Sequence, residues 1–354
     1  MGVRLDESDE YMHELGPESN FNESMYFNCF DPEQHVGGWF RIGNRANEGQ
    51  AEMTVCLYLP PEAVAPAVGA SGDARTVGFM FKRPSIDDND SFEAAGLTFT
   101  VVAPFEELRV DFTGKVLLLD DPEQMADPKQ AFTDNPFAQA AVHLSFTGQG
   151  RPSMFGGEPD EPQETPGEEF AKGHYEQLVQ ATGSIQVGER EWQISGFGLR
   201  DHSWGPRYWQ APWFYRWLTA GIDRDFGFMA SRVAKKDAPG TRGGFVWENG
   251  ELHYCDHVEI TTTTRGDEHY HESIAGTIRS SRSSREWTFS GETVSLIPLR
   301  NRRKTPDGEW LQTRISEAYT KWTVESGPFE GRTGFGMSEY LDQIIDGVPV
   351  GLDE

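Results

Sequence analysis

Short runs of alternating apolar and polar residues, separated by turn-forming residues, cover most of this 354-residue chain. From Phe21 onward the runs are rich in aromatic and β-branched residues and are bounded by Gly, Asn, Asp and Pro, which is typical of β-strands. In the first half, strands are predicted in VGGWFRIGNRANEG, AEMTVCLYLP, TVGFMFKR, GLTFTVVAP, LRVDFTGKVLLLD and AAVHLSFTG. Helical periodicity is rare, and PKQAFTDNPFAQAA is expected to hold only short helical turns.

A second β-rich series follows a Pro-, Gly- and Glu-rich stretch at residues 156–169. Burial cannot offset the ordering entropy of that stretch, so we interpret it as a linker and as the domain boundary. The remaining chain divides into a polar N-terminal arm at 1–20, an N-terminal β-unit at 21–155 and a C-terminal β-unit at 170–354. Two successive all-β units of similar size predict two antiparallel barrels, because closure removes exposed strand edges.

Charge and cysteine content narrow the classes of partner. The formal net charge of −26 argues against nucleic acid or an anionic membrane surface as a partner. Three scattered cysteines, at 29, 56 and 255, do not make a disulfide framework and favour a reducing compartment. The N-terminus lacks the apolar core of a signal peptide, and no run approaches membrane-spanning length. We therefore expect a cytoplasmic protein with no membrane span.

The stretch 196–217, GFGLRDHSWGPRYWQAPWFYRW, combines features that packing alone does not explain. It places four of the ten tryptophans beside Arg200, Asp201, His202 and Arg207. Aromatic side chains favour the interior, whereas an ionised carboxylate is costly there unless it is paired or neutralised. The combination predicts an aromatic-walled cavity that contains an acid–base group.

The period of a strand decides which motif residues share a face. If 192–204 is one strand, Phe197, Leu199 and Asp201 lie on one face, and Arg200 and His202 lie on the other. Only one of Asp201 and His202 then lines the cavity directly. Gly196 and Gly198, on the face of His202, indicate the close approach of another backbone or of a ligand.

Asp201 has two interpretations on this pattern. Apolar neighbours favour a protonated carboxyl that can act as a general acid. Alternatively, Asp201 forms a salt bridge with Arg200, Arg207 or Arg216 and is structural. His202 taken alone is more often a hydrogen-bonded structural imidazole than a catalyst, although we keep it among the candidate catalytic residues.

Two further carboxylates lie on apolar strand faces. Glu317 shares a face with Ile315 and Tyr319, while Glu339 shares one with Met337 and Leu341, and Tyr340 points the other way. Each glutamate either pairs with a motif arginine or is a base that complements Asp201, and Glu339 is the better catalytic candidate. The expected substrate-binding residues are Trp204, Arg207, Tyr208, Trp209, Trp213, Tyr215, Trp217 and Tyr340.

GFGLRDHSWGPR and the aromatic run after it resemble the motif of lipocalin-like proteins grouped with carotenoid 1,2-hydratase, kievitone hydratase and the AttH-type double calycins. The segments YFNCFDPEQHVGGWFRIGNRAN and GFGMSEYLDQ are similar to bacterial relatives of that group. The resemblance implies an all-β fold of two consecutive lipocalin-like antiparallel β-barrels, with a cavity at or near their junction. In the hydratase branch it implies a motif aspartate that protonates a carbon–carbon double bond, and Asp201 is the matching position. Related branches include cofactor-free cyclising enzymes.

The sequence therefore predicts a cofactor-independent, acid-catalysed lyase: a hydratase, isomerase or cyclase for an alkene, isoprenoid, steroid-like or polycyclic small molecule. One alternative is a non-catalytic carrier of an apolar molecule. A second is a metal-dependent enzyme that uses His253, Cys255, His257, His269 and His271, although the polarity of that segment favours a solvated hairpin. No nucleotide-binding motif is present, and neither a metal nor a cofactor is expected. The pattern does not determine the oligomeric state.

Overall fold

The computed structural model describes residues 3–60, 76–148, 154–160, 170–236, 238–304 and 308–352. Of the predicted linker, 161–169 lie outside the described residues. The chain forms two compact units. The first unit comprises Met1–Asp121 and Phe132–Tyr208, and the second comprises Pro122–Ala131 and Trp209–Glu354.

The first unit is built around a twelve-stranded antiparallel sheet. Its pairing runs through eight strands and returns to its start, because β9 pairs with both β8 and β11. The strands are β1 (Val3–Arg4), β2 (Phe21–Asp31), β3 (Val36–Arg45), β4 (Gln50–Tyr58), β5 (Val77–Lys82), β6 (Glu93–Ala94), β7 (Leu97–Ala103), β8 (Glu107–Leu119), β9 (Phe137–Gly148), β10 (Met154–Pro159), β11 (Gly173–Val187) and β12 (Arg190–Pro206). The closed ring β2-β3-β4-β5-β8-β9-β11-β12 confirms a barrel-like first unit.

The second unit contains a ten-stranded antiparallel sheet ordered β16-β15-β14-β13-β21-β20-β19-β18-β17, with β22 paired to β21. Its strands are β13 (Phe214–Gly221), β14 (Phe226–Lys235), β15 (Ala238–Glu248), β16 (Glu251–Cys255), β17 (His257–Arg265), β18 (Tyr270–Ser280), β19 (Arg285–Lys304), β20 (Trp310–Val324), β21 (Thr333–Ile345) and β22 (Val348–Pro349). The two ends of the order, β16 and β17, are consecutive in the chain and are separated by Asp256 alone. The all-β prediction is confirmed.

Helical structure in the described chain is short. One α-helix, α1, spans Pro128–Asp134, where the sequence predicted short helical turns. The 3₁₀ turns are Glu7–Glu10, Ala46–Glu48, Pro122–Ala126 and Gly327–Phe329. No helix of the described chain is long and apolar enough to cross a membrane.

The division of the chain differs from the one predicted at 156–169. Strands β11 and β12 pair with β9 and β2, so residues 173–206 belong to the first unit rather than to the second. Residues 154–159 are themselves a strand that pairs with β11. The stretch therefore lies between two strands of the same unit. The first unit ends at Tyr208.

Each unit has its own apolar core. The first is packed inside the closed ring, with the inward side chains of β2, Met25 and Phe27, fully buried there. In the second, the rings of Phe228, Phe289 and Trp322 meet at centroid distances of 4.5–5.5 Å. The three cysteines are buried free thiols, as the absence of a disulfide framework predicted.

The glycines of β12 allow close contact with β2. A Cβ atom added at Gly196 would lie 2.4 Å from the carbonyl oxygen of Phe30, and one at Gly198 would lie 1.9 Å from that of Asn28. Both distances are too short for real contacts, and the obstacle is backbone. The prediction of a close backbone approach at these glycines is confirmed.

We predict that Gly198→Ala destabilises the protein by about 1–3 kcal/mol, because β12 must move away from β2 to admit the methyl group. Urea unfolding measures this loss. Gly243→Ala is the matched control, since its added Cβ would lie 3.4 Å from the nearest atom, the carbonyl oxygen of Cys255. Equal unfolding free energies for the two variants would show that the β12–β2 contact is not tight.

Candidate functional site

The central motif lies on β12, and its alternate residues have different surroundings. Arg200, His202 and Trp204 are buried on the inward face, while Asp201 is half-buried on the opposite face. The structure thus separates Asp201 from His202, as the period of a strand requires. Two sets of polar side chains result, and each is a candidate site.

A buried ion pair organises the inward set. Arg200 Nη1 and Nη2 donate to Glu10 Oε1 and Oε2 at 2.5 and 2.9 Å, and both side chains are fully buried. Arg200 Nε donates to Gln177 Oε1 at 2.8 Å. The Tyr175 hydroxyl and the backbone N–H of Phe105 also donate to Glu10, at 2.7 and 2.6 Å. The carboxylate therefore receives four hydrogen bonds.

These partners keep Glu10 ionised. Burial by itself raises the pKa of the carboxyl group, but the charge and hydrogen bonds of Arg200 outweigh it. The hydrogen bonds from Tyr175 and Phe105 act in the same direction, so that the pKa of Glu10 is lowered. Burial in turn raises the pKa of the Tyr175 hydroxyl well above its usual value.

His202 continues the network toward the N-terminal segment. Its Nε2 lies 2.6 Å from Glu23 Oε1, and its Nδ1 lies 3.4 Å from the Tyr175 hydroxyl. His13 Nδ1 lies 2.9 Å from the same Glu23 oxygen, and its Nε2 lies 3.4 Å from Asp9 Oδ1. Burial raises the pKa of Glu23, but its contacts with the two histidines reverse that effect and the pKa is lowered.

Aromatic rings enclose the two histidines. The ring of Trp204 stacks on His13 at a centroid distance of 3.9 Å, and Phe92 lies edge-on to His202 at 5.4 Å. Trp204 was expected to bind substrate. Instead it is a core side chain of the first unit, packed with Phe21, Phe105 and Tyr175.

The polar N-terminal arm contains buried residues. Glu10 and Asp9 are buried, and His13 is half-buried against Glu23. A buried arginine on β12 requires a carboxylate partner. The sequence indicates that an arginine buried in this motif needs a carboxylate partner. It does not identify Glu10 as that partner among the 57 acidic residues.

The outward set forms a row across five strands. Glu176 is opposite Asp201, Asp201 is opposite Tyr26, Tyr26 is opposite Arg41, and Arg41 is opposite Thr54. Directly opposite residues of an antiparallel pair share a face, with Cβ atoms about 4.5–5.5 Å apart. Asp201 therefore lies between a buried carboxyl group and a buried phenol.

An aromatic surface continues from this row. The rings of Tyr26 and Trp39 stack at a centroid distance of 5.9 Å, and Asn28 Nδ2 donates to the Tyr26 hydroxyl at 3.4 Å. Leu199 and Phe197 lie on the same face of β12 as Asp201. This face thus combines two carboxyl-bearing residues with apolar and aromatic side chains, including the rings of Tyr26 on β2 and Trp39 on β3.

Two more motif residues lie in the first unit. Arg207 is buried, donates to Ser203 Oγ at 2.8 Å and to the Phe170 carbonyl at 3.0 Å, and stacks over the Phe170 ring at 4.5 Å. Its guanidinium group is thus held by hydrogen bonds and a ring within the first unit. Tyr208 is half-buried at the end of the unit.

The remaining predicted residues lie in the second unit. Glu339 and Glu317 are directly opposite each other on β21 and β20, and Trp217 is opposite Glu339 on β13. The Tyr215 hydroxyl donates to Glu339 Oε1 in a short hydrogen bond. Arg216 does not reach either glutamate but forms a bidentate pair with Asp342 at 3.1 Å. Trp209 and Trp213 are half-buried beside Gln343, which donates to the Trp209 carbonyl at 3.1 Å.

Tyr340 points away from Glu339, as predicted, and lines a small pocket in the second unit with Arg216, Arg314 and His271. Its ring stacks on His271 at 4.1 Å, and burial raises the pKa of its hydroxyl to about 12. Burial and the nearby charge of Arg216 lower the pKa of His271 to about 3. This imidazole is therefore neutral at physiological pH.

Of the histidines considered for a metal, His269 and His271 line the same small pocket, and three have other partners. His253 packs on Trp287, His257 lies 2.8 Å from Glu259, and His271 lies 2.9 Å from Ser338 Oγ. Burial raises the pKa of Cys255 to about 12, which disfavours the thiolate that a metal requires. Within the described residues, the three potential ligands that converge are His13, Glu23 and His202.

The chain is similar in sequence to one known family of domains. Residues 6–344 match the domain of unknown function DUF7064. The chain belongs to the DUF7064 family. No curated protein matches the chain.

Three solved structures match most of this chain at low sequence identity. Kievitone hydratase from Nectria haematococca superimposes with a TM-score of 0.52 at 10% identity, over 94% of this chain and 90% of that chain. An AttH-like protein of Nitrosomonas europaea gives 0.49 at 12%, over 92% and 93%. CghA bound to Sch210972 gives 0.46 at 13%, over 95% and 96%. The match to kievitone hydratase supports the resemblance in fold that the motif implied.

We predict that Glu10→Gln lowers the free energy of unfolding at neutral pH by about 3–5 kcal/mol, because it leaves Arg200 buried without its counter-charge. The lowered pKa of Glu10 also makes stability depend on pH. Its contribution is present above the usual value of 4.5 and is lost as the pH falls through the lower folded-state pKa.

Urea unfolding from pH about 7 to about 3 measures both effects. Wild type should lose stability more steeply below the usual carboxyl range than Glu10→Gln, which lacks this titrating group. Glu14→Gln, at an exposed position of the same segment, should change stability by no more than about 0.5 kcal/mol. Parallel acid profiles for wild type and Glu10→Gln would contradict the role given to the ion pair.

Proposed function

We propose that this protein is a lyase-type enzyme, a hydratase, isomerase or cyclase, that acts on a hydrophobic small molecule through a proton donated by Asp201. The observation that carries the proposal is the position of Asp201 directly opposite Glu176 on one side and Tyr26 on the other. The proposal requires no organic cofactor.

The carboxyl pair explains how an aspartate can donate a proton at neutral pH. Carboxylates at directly opposite positions of a strand pair disfavour simultaneous ionisation, which favours a proton on one of them; Glu176 Oε1 also lies 3.6 Å from His174 Nε2. Glu176 is buried and Asp201 is half-buried. Asp201 is therefore the member of the pair that a substrate can reach.

The aromatic surface suits the charge that follows. Transfer of the Asp201 proton to an alkene carbon forms a C–H bond and leaves a carbocation at the neighbouring carbon. The ring faces of Tyr26 and Trp39, stacked next to this position, stabilise positive charge. Addition of water followed by loss of its extra proton gives hydration, and loss of a proton from a neighbouring carbon gives isomerisation. Attack by an internal double bond forms a ring and a new cation, which then loses a proton to complete cyclisation. In each case the released proton restores the Asp201 carboxyl group.

The similarity to kievitone hydratase supports this class of reaction. That protein is named as a hydratase and shares the fold over most of both chains. The low identity transfers neither its substrate nor its residues to this chain. Asp201 is assigned here on its position in the motif and on its neighbours across the sheet.

Solvent deuterium gives a test that does not require a known substrate. The protein is incubated in D₂O with a library of isoprenoid, steroid and polycyclic alkenes, and products are analysed by mass spectrometry. A substrate should yield a product that carries one deuterium on carbon. Asp201→Asn should lower the rate of its formation by about 10²–10⁴-fold, the usual contribution of a general acid.

Glu339→Gln tests whether the proton comes from Asp201 or from Glu339, which the sequence predicts as a base. It removes the carboxylate that accepts the Tyr215 hydrogen bond, and it leaves Asp201 and Glu176 unchanged. Retention of carbon deuteration in Asp201→Asn together with its loss in Glu339→Gln would transfer the role to Glu339. Saturable binding with every ligand recovered unchanged and undeuterated would instead indicate a carrier.

A further inference from the structure

Three potential metal ligands converge at one point inside the first unit. His13 Nδ1 and His202 Nε2 lie 2.9 and 2.6 Å from the same oxygen, Glu23 Oε1, and the three ligand atoms lie within 4.8 Å of one another. Two imidazoles and one carboxylate are a common donor set for zinc and for other divalent first-row ions. We infer that His13, Glu23 and His202 form a binding site for a divalent transition-metal ion.

A hydrogen-bond acceptor behind His202 can hold its proton when the inward nitrogen binds a metal ion. The Tyr175 hydroxyl has one hydrogen, which it donates to Glu10 at 2.7 Å, and it accepts a hydrogen bond from Arg200 at 3.2 Å. Toward His202 Nδ1, 3.4 Å away, this hydroxyl acts only as an acceptor. A His202 that carries its proton on Nδ1 therefore has a partner there, and its Nε2 is then available to coordinate.

His13 has the same arrangement with its two ring nitrogens exchanged: Nδ1 faces Glu23, and Nε2 faces an acceptor on the outer side. Its outward Nε2 lies 3.4 Å from Asp9 Oδ1, a carboxylate that can only accept and can hold the His13 proton when a metal ion is bound. The inward Nδ1 is then available to the ion. An acceptor behind each ligating imidazole is the usual second shell of a protein metal site, where it fixes the tautomer and orients the ring.

Imidazole protons can hold the three converging atoms together, and a divalent ion can take the place of those protons. Two nitrogen lone pairs and a carboxylate oxygen repel one another unless protons or a cation lie between them. One divalent ion meets that requirement for all three atoms together. Glu23 is fully buried, and its Oε1 is the atom that both inward imidazole nitrogens face.

The surroundings provide an enclosed site with an entry route. Trp204 stacks on His13, and Phe92 lies edge-on to His202. The side chain of His13 retains 17% of its accessibility, whereas those of Glu23 and His202 retain none. An ion therefore reaches the site past His13, and its binding fastens the N-terminal segment to β2 and β12.

Metal content and affinity test the inference. The full chain is stripped with a chelator, dialysed against Zn²⁺ and measured for bound zinc, and Zn²⁺ and Co²⁺ are titrated calorimetrically. Wild type should retain about one ion per chain. His13→Gln should weaken binding by at least about 10–100-fold, and Asp9→Asn, which alters only the second shell, by about tenfold.

His143→Gln is the matched control, because His143 is an exposed histidine of the same unit that lies 2.7 Å from Asp111. It should bind Zn²⁺ as tightly as wild type does. The melting temperature should rise on Zn²⁺ addition for wild type and His143→Gln but not for His13→Gln.

Two results would overturn the inference: no zinc retained by wild type, or equal affinity in wild type and His13→Gln. His13 is chosen because it is the least buried ligand, and circular dichroism confirms that the variant is folded. The deuterium-incorporation assay is independent of this measurement, so that either proposal can fail alone.

Discussion

The buried pair between Glu10 and Arg200 is the interaction on which the rest of the first unit depends. Removal of either partner leaves a charge in the core without compensation, which is far more costly than loss of the hydrogen bonds alone. The negative charge of Glu10 is compensated by Arg200 and by four hydrogen bonds to its carboxylate in total. The pair also draws the N-terminal segment into the barrel-like sheet, which places His13 beside Glu23 and His202.

This constraint gives the two faces of β12 different roles. The inward face, with Arg200, His202 and Trp204, belongs to a network whose members are mutually satisfied and well packed. Such a network stabilises one arrangement of the strand. Asp201 lies on the other face, beside Glu176 and Tyr26, and is held in place by that arrangement without being part of the network. The residues that stabilise the unit and the residue proposed to donate the proton are thus neighbours along β12.

Much of the fold was readable from the sequence, since strand periodicity and turn residues are local signals. The all-β class, the close approach at Gly196 and Gly198, and the opposite orientations of Glu339 and Tyr340 were predicted and are confirmed. The domain boundary was not. Composition at 156–169 reports local solvation, whereas the unit to which β11 and β12 belong is decided by pairing with distant strands.

The candidate site was only partly predictable for the same reason. The motif identified β12, and the strand period established that Asp201 and His202 are on different faces. The partners of these residues come from segments far away in sequence: Glu10 and Glu23 near the N-terminus, Tyr26 on β2 and Glu176 on β11. The aromatic residues after 204 were expected around Asp201, but Trp204 packs on the inward face with His13. Long-range pairing, which leaves no local pattern, decided each of these contacts.

The division of roles along β12 is tested most directly by the unfolding free energies of Arg200→Met and Asp201→Asn, measured in urea under identical conditions. The account predicts a loss of about 3–5 kcal/mol for Arg200→Met, since Glu10 is left buried and unpaired. For Asp201→Asn, a change of nearly the same size and shape, it predicts a loss of no more than about 1 kcal/mol. A loss for Asp201→Asn as large as that for Arg200→Met would show that Asp201 is a structural partner and would contradict the account.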